Sequence, residues 1–213
     1  MVSYYHEAGG ETRRHPRQVQ QRHRAFLPFQ HHLSDRVVAF VGEGRSENAD
    51  VFVVRLSDGE IRNLTDHPAH DLAPRWTAGG SVAFLSDRAG QGPDLFEVDV
   101  GASSLEPRKL SRGGGLEEHD VGVEGHWVKR TQTSRRGASA EIRLLPLTGG
   151  RGTPLARGLS TIGLPSRSAD GRRLALGARR GVRSAIAMLP VRGRGVDWLP
   201  FDSDADHLSP RYS

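Results

Sequence analysis

The sequence predicts an all-β protein built from repeated four-stranded antiparallel sheets. Three observations carry this prediction. Apolar residues alternate with a period of two in four separate segments, and Gly or Pro interrupts the chain at about every tenth residue. A leucine also recurs at steps of 46, 45 and 44 residues, at Leu64, Leu110, Leu155 and Leu199. That step is the length of a unit of four short strands, whereas a helical repeat would place its apolar residues three and four apart.

Residues 1–30 differ from the rest and are expected to form a disordered basic arm. The stretch is poor in apolar residues and contains Arg13, Arg14, Arg17, Arg22 and Arg24. A short helix from about Arg17 to Phe26 is the alternative. The arm lacks the apolar core of a secretory signal. We therefore expect a cytoplasmic protein, or a periplasmic one if the given N-terminus is incomplete.

Residues 31–213 are expected to form the repeat domain. Its units are predicted at about 33–66, 71–112, 119–157 and 160–201, with the start of a further strand at 206–213. Each unit has an alternating strand in its middle, and these strands are Val51–Leu56, Leu95–Val100, Ile142–Leu147 and Ile186–Val191. Gly-containing turns separate the strands, as at Thr77–Gly80 and Ser168–Gly171.

Two parts of the repeat are irregular. The third unit has Trp127 and Val128 but no Asp-Gly turn. At the end of the chain, Asp206–Tyr212 parallels Asp71–Trp76. The last segment either completes the first unit as a clasp or begins a further unit of a longer protein. The clasp is favoured because the first unit shows no opening strand of its own before Leu33.

Sheets of this length that repeat in series are the blades of a β-propeller. The second unit resembles the TolB-type, WD-like propeller repeat in several short motifs: Leu64-Thr65, Asp71, Pro74, Trp76 to Gly80, Ala83-Phe84, Ser86 to Arg88 and Asp94 to Phe96. The chain departs from that repeat at Gly79, where Asp is usual, and at Arg167, where Trp is usual. The resemblance implies a propeller of about four blades, or a piece of a larger one.

The same resemblance bears on function. Repeats of this kind occur in periplasmic TolB-like proteins and in the propeller of prolyl oligopeptidase-like peptidases. The resemblance therefore implies a role in binding or gating a protein or peptide, and it carries no catalytic residue across. The chain also has no Gly-x-Ser-x-Gly elbow, since Gly44–Asn48 lacks the second Gly, and it contains no Cys. We expect no enzyme activity unless the chain is part of a serine peptidase.

The candidate partner-binding loop comprises Asp66, His67, His70, Asp71, Asp87 and Arg88. The two His and two of the Asp could hold a divalent metal ion, but the favoured interpretation is that the Asp side chains bind loop amides. No metal or other cofactor is predicted. Asp87 and Arg88 are expected to pair with each other and to pin their turn, and the alternative is that Arg88 meets an acidic partner.

The formal net charge is +5, and nearly all the basic residues are Arg, because Lys109 and Lys129 are the only Lys. A GC-rich genome explains this composition, and a surface for phosphate or carboxylate is the alternative. Since Arg is spread along the chain, nucleic acid is not an expected partner. No apolar run approaches the roughly 18 residues of a membrane-spanning helix. The oligomeric state is left open.

Overall fold

The computed structural model describes residues 25–31, 36–45, 47–122, 125–134, 137–161, 165–180, 183–192 and 195–200. Within these ranges the chain forms strands and turns and no helix. None of the described segments could therefore cross a membrane as a helix. The all-β prediction is confirmed.

The strands form four consecutive groups of four, which we call units 1 to 4. Unit 1 consists of β1 (Ala25–His31), β2 (Val37–Glu43), β3 (Ala49–Arg55) and β4 (Ile61–Asn63). Unit 2 consists of β5 (Asp71–Trp76), β6 (Ser81–Ser86), β7 (Asp94–Asp99) and β8 (Arg108–Lys109). Each of these two units is a separate antiparallel sheet in which neighbours along the chain are neighbours in space.

Units 3 and 4 are joined into one sheet. Unit 3 consists of β9 (Leu116–Gly122), β10 (Gly125–Ser134), β11 (Gly137–Leu145) and β12 (Thr153–Thr161). Unit 4 consists of β13 (Ser166–Arg167), β14 (Arg173–Arg180), β15 (Arg183–Pro190) and β16 (Asp197–Pro200). The end of β12 pairs with β14 at Ser160 and Thr161, so β12 belongs to both units.

The core lies between successive units. One apolar cluster joins Ala39, Val51 and Leu64 of unit 1 to residues such as Phe84 and Phe96 of unit 2. A second cluster joins units 2 and 3, and a third joins units 3 and 4. Each sheet therefore buries its faces against its neighbours in the chain, as expected for a stack of similar repeats.

The repeat leucines occupy corresponding positions in their units. The Leu64 amide donates to the Val51 carbonyl and the Leu110 amide donates to the Leu95 carbonyl, both at 2.8 Å. Leu199 lies opposite Ile186 in the same register. Leu155 precedes Ala156, which pairs with Ile142 across a bulge. Leu64 and Leu110 are both 1% exposed, whereas Leu199 is 51% exposed.

Two sequence expectations about the N-terminal part need correction. The sequence predicts residues 25–30 in the disordered arm, or, as the alternative, a short helix that ends at about Phe26, but these residues form strand β1, which pairs with β2. Unit 1 therefore has an opening strand of its own, and the argument for a clasp from 206–213 loses its support. Residues 1–24 of the arm and the segment 206–213 lie outside the described residues. The third unit also begins earlier than predicted, at Leu116.

Candidate functional site

The candidate loop connects β4 of unit 1 to β5 of unit 2 and is positioned by Asn48. The Asn48 side-chain amide donates to the His67 carbonyl at 2.7 Å and to the Ala69 carbonyl at 2.8 Å. The Asp50 carboxylate lies 2.8 Å from the same nitrogen and shares one of its two hydrogens. Because Asn48 is buried in the turn between β2 and β3, it ties two connections at the same end of the units to one side chain.

Both histidines of the loop are bound through Nδ1. His67 Nδ1 accepts the Ala69 amide at 3.0 Å, and His70 Nδ1 accepts the Ala49 amide at 3.2 Å. Accepting these bonds places the proton of each neutral ring on Nε2, so each imidazole retains an Nε2–H donor. His70 and Asp66 are exposed and His67 is half-buried. These three side chains give the loop its polar surface.

Arg88 pairs with Asp71 and not with Asp87, so the expected local pair is corrected. An Arg88 guanidinium nitrogen lies 2.8 Å from the Asp71 carboxylate, which is fully buried. The same guanidinium lies 5.5 and 5.3 Å from the ring centres of Phe84 and Phe96. Burial raises the pKa of Asp71, and hydrogen bonding from Ser86 and the Arg88 charge oppose that rise.

Asp87 has a different partner from the expected one. Its carboxylate accepts the His70 amide at 2.9 Å, which joins the turn after β6 to the candidate loop. Of the six predicted residues, Asp66, His67, His70 and Asp87 therefore form one surface. Asp71 and Arg88 lie beneath it in the interior. With Asp71 in this ion pair, the described part of the chain contains no group of three side chains suited to a metal ion.

A buried polar pair that the sequence analysis missed supports this end of units 1 and 2. In unit 2 the Ser111 hydroxyl donates to Asp94 at 2.6 Å and accepts the Leu95 amide at 2.8 Å. In unit 1 the Thr65 hydroxyl accepts the Val51 amide at 3.0 Å and lies 3.5 Å from Asp50. We call this arrangement the hydroxyl clasp. Its signal in the sequence is an Asp in the first two residues of the third strand and a Thr or Ser after the repeat leucine.

A second buried polar group lies where the first strands of units 2 and 3 meet. His119 of β9 is buried, and its Nε2 lies 2.6 Å from the Ala73 carbonyl. Ala73 has a φ of 52°, a left-handed conformation that is unusual for a residue other than Gly. Burial and the nearby Arg75 charge lower the pKa of His119 from 6.5 to about 3, so the ring is neutral and donates to Ala73. No motif in the sequence points to this contact.

The comparisons with known proteins agree on the fold. No family model matches the chain. An uncharacterized peptidase, YuxL of Bacillus subtilis, is 26% identical over 144 residues, which cover 67% of this chain and 20% of that protein. The chain thus spans about a fifth of the length of this curated relative.

Three solved structures share the arrangement of strands. TolB from Acinetobacter baumannii has a TM-score of 0.63 at 20% identity, over 82% of this chain and 43% of that one. Pyrococcus horikoshii acylaminoacyl peptidase has a TM-score of 0.59 at 13% identity, over 82% and 32%. Oligogalacturonate lyase from Vibrio parahaemolyticus reaches 0.68 at 9% identity, over 87% and 57%. The chain therefore has the propeller-like fold of TolB and of peptidase propellers, and these likenesses bear on the fold alone.

Proposed function

We propose that the chain is a non-enzymatic propeller scaffold that binds a protein or peptide at the loops of one channel mouth, in the manner of a TolB-like protein. The four units would be four blades, or part of a larger ring. The observation that supports this proposal is the surface formed by Asp66, His67, His70 and Asp87. Its backbone is fixed by Asn48 and Asp87, while outward donors and carboxylates remain for a partner.

Such a surface is suited to binding because its loop is already held in one conformation before a partner binds. Rigid loops lose less conformational entropy than flexible ones when a partner binds. The buried pair of Asp71 and Arg88 holds the start of β5 and the turn after β6 together beneath the surface. The loop would then recognise a peptide through hydrogen bonds from the two imidazoles and through the charge of Asp66 and Asp87.

Site-specific photocrosslinking in the native host tests this proposal. A photoreactive residue at position 70 should give a discrete crosslinked partner. The matched control is position 58, in the β3–β4 turn at the other end of unit 1, and it should not give that product. Loss of the crosslink in a His67→Ala variant would support the assignment, whereas an identical product from both positions would contradict it.

The second candidate is the regulatory propeller of a prolyl oligopeptidase-like serine peptidase whose catalytic domain is not in this sequence. The match to a peptidase over two thirds of the chain favours it. A fluorophosphonate probe labels reactive serines of such enzymes. If the native polypeptide, captured with an antibody to this chain, takes up the probe, the peptidase proposal holds and the scaffold proposal fails.

A further inference from the structure

A cavity of about 310 Å³ lies between units 2 and 3, and none of the candidate-loop residues lines it. Its apolar wall is formed by Leu116, Val128 and Leu145, all buried. Most of the remaining wall is basic, because Arg112, Arg143, Arg151 and Arg157 line it together with one carboxylate, Glu141. Ser111 and Gly150 complete the lining. The volume falls at the small end of ligand sites, which span about 300–1,000 Å³.

The cavity exists because unit 3 lacks an aromatic pair that units 1 and 2 contain. Phe40 pairs with Phe52 in unit 1, and Phe84 pairs with Phe96 in unit 2. Their rings stack with centres 5.6 and 6.1 Å apart. The corresponding cross-strand pair of unit 3 is Val128 and Arg143. Replacing two rings by a short aliphatic side chain and a guanidinium leaves the space open and lines it with positive charge.

The guanidinium of Arg143 is fixed in this wall. It donates to the Arg151 carbonyl at 3.0 Å, to the Gly152 carbonyl at 2.7 Å and to Glu141 at 2.8 Å. Arg157 donates to the same oxygen of Glu141 at 3.0 Å, and its side chain is 68% exposed. One carboxylate therefore serves two guanidinium groups, while the exposed Arg112 and Arg151 add further positive charge at the rim.

We propose that this cavity binds an organic carboxylate that carries a short aliphatic chain. Arg forms strong, charge-assisted hydrogen bonds with carboxylates, and several converging Arg side chains favour an anion over a neutral group. The aliphatic chain would enter the space that the aromatic pair fills in unit 2 and contact Val128 and Leu145. The carboxylate could belong to a free acid or to the C-terminus of a peptide.

Titration followed by amide chemical shifts tests the proposal, with hexanoate, hexanol and hexylammonium as probes. Hexanoate should cause saturable shifts at Leu116 and Gly152, while hexanol and hexylammonium should not. The peptide Ala-Ala-Ala-Leu as free acid and as C-terminal amide distinguishes the sources. Tighter binding of the peptide acid than of hexanoate indicates a peptide C-terminus, and the reverse indicates a free acid. Equal binding of acid and amide would overturn the proposal.

Two variants locate the binding. Val128→Phe restores the residue of unit 2 and should weaken hexanoate binding at least tenfold by filling the cavity. Arg151→Gln combined with Arg157→Gln changes only exposed side chains and should have an effect of the same size even if Val128→Phe fails to fold. Arg172→Gln with Arg173→Gln, exposed in unit 4, is the matched control for net charge and should bind as the wild type does. Hexanoate-induced shifts that persist in the double variant of Arg151 and Arg157 would overturn the proposal. So would the absence of saturable shifts in the wild type, or shifts at these residues that inorganic phosphate causes and hexanoate does not.

Discussion

Units 2 and 3 have the same strand order but differ in what closes the face toward the preceding unit. In unit 2 that face contains the buried pair Asp71–Arg88, covered by the rings of Phe84 and Phe96. In the matching register of unit 3, Leu116 stands where Asp71 does, and Val128 and Arg143 stand where the two rings do. The ionic contact has moved to Glu141 with Arg143 and Arg157.

The hydroxyl clasp differs in the same way. Unit 2 has Asp94 with Ser111, whereas unit 3 has Glu141 with Ala156 at the corresponding places. The replacements in unit 3 are therefore coordinated, because the longer carboxylate finds guanidinium partners once the hydroxyl is lost. A repeat can change its interior chemistry in this way and still keep its strand register, since the register depends on the period of two and on the turns.

The largest expected effect is at the aromatic pair. Phe84→Ala should lower the free energy of unfolding by about 3–5 kcal/mol, because it leaves a cavity and removes a ring from Arg88. Val128→Ala should cost clearly less, since the deleted methyl groups already border an open space. Urea unfolding of both variants measures the difference. Equal losses would mean that the two faces are packed alike.

A second difference between the units should appear when the pH is lowered. Unit 3 has the buried His119 at the place in the register where unit 2 has Pro74. The folded-state pKa of about 3 lies below the unfolded value of 6.5. The stabilisation is thus complete above pH 6.5 and is lost as the pH falls toward 3, at about 1.4 kcal/mol per pH unit. His119→Gln keeps a hydrogen-bond donor for the Ala73 carbonyl. It should reduce the slope of the free energy of unfolding against pH between pH 6 and 4 by the equivalent of about one proton. An unchanged slope would show that His119 is protonated in the fold.

Removing the hydroxyl clasp of unit 2 should lower the free energy of unfolding by a smaller amount, about 1–3 kcal/mol. Ser111→Ala leaves the buried Asp94 and the Leu95 amide without the hydroxyl that joins them. The reciprocal change, Ala156→Ser, should not stabilise unit 3, because Glu141 already has two guanidinium partners. Thermal unfolding of the two variants tests this asymmetry, and a gain from Ala156→Ser would argue against it.

The smallest effect is expected at the surface of unit 1. Arg55 forms an exposed ion pair with Asp58 at 2.9 Å. Asp58→Ala should change the free energy of unfolding by no more than about 0.5 kcal/mol, because solvent and salt screen exposed pairs. A urea titration at low and high salt would measure it. A larger, salt-independent loss would indicate that the Asp58 bond to the Glu60 amide fixes the turn.

The strands of units 2 and 4 were predictable because alternation and turn residues are local signals. The opening strand β1 was not, since the Arg-rich sequence around it outweighs a short apolar run at Ala25–Phe29. In the loop, the sequence places His67 and His70 three residues apart, and each accepts a hydrogen bond from a different backbone amide. The sequence could not show that Arg88 pairs with Asp71 instead of its neighbour Asp87, because that choice depends on two rings supplied by β6 and β7.

The cavity could not be predicted for a similar reason. It is recognised only when Val128 and Arg143 are aligned with the aromatic pairs of the other units.

The backbone pairing of β12 with β14 has a mechanical consequence. Ser160 and Thr161 pair units 3 and 4 within one sheet, whereas units 1, 2 and 3 are separate sheets. Units 2 and 3 are linked by two isolated main-chain hydrogen bonds, from the Leu116 amide to the Pro93 carbonyl and from the Gly150 amide to the Leu110 carbonyl. Under a pulling force we therefore expect the second half of the molecule to give way as one block. The first rupture should fall between two of the separate sheets.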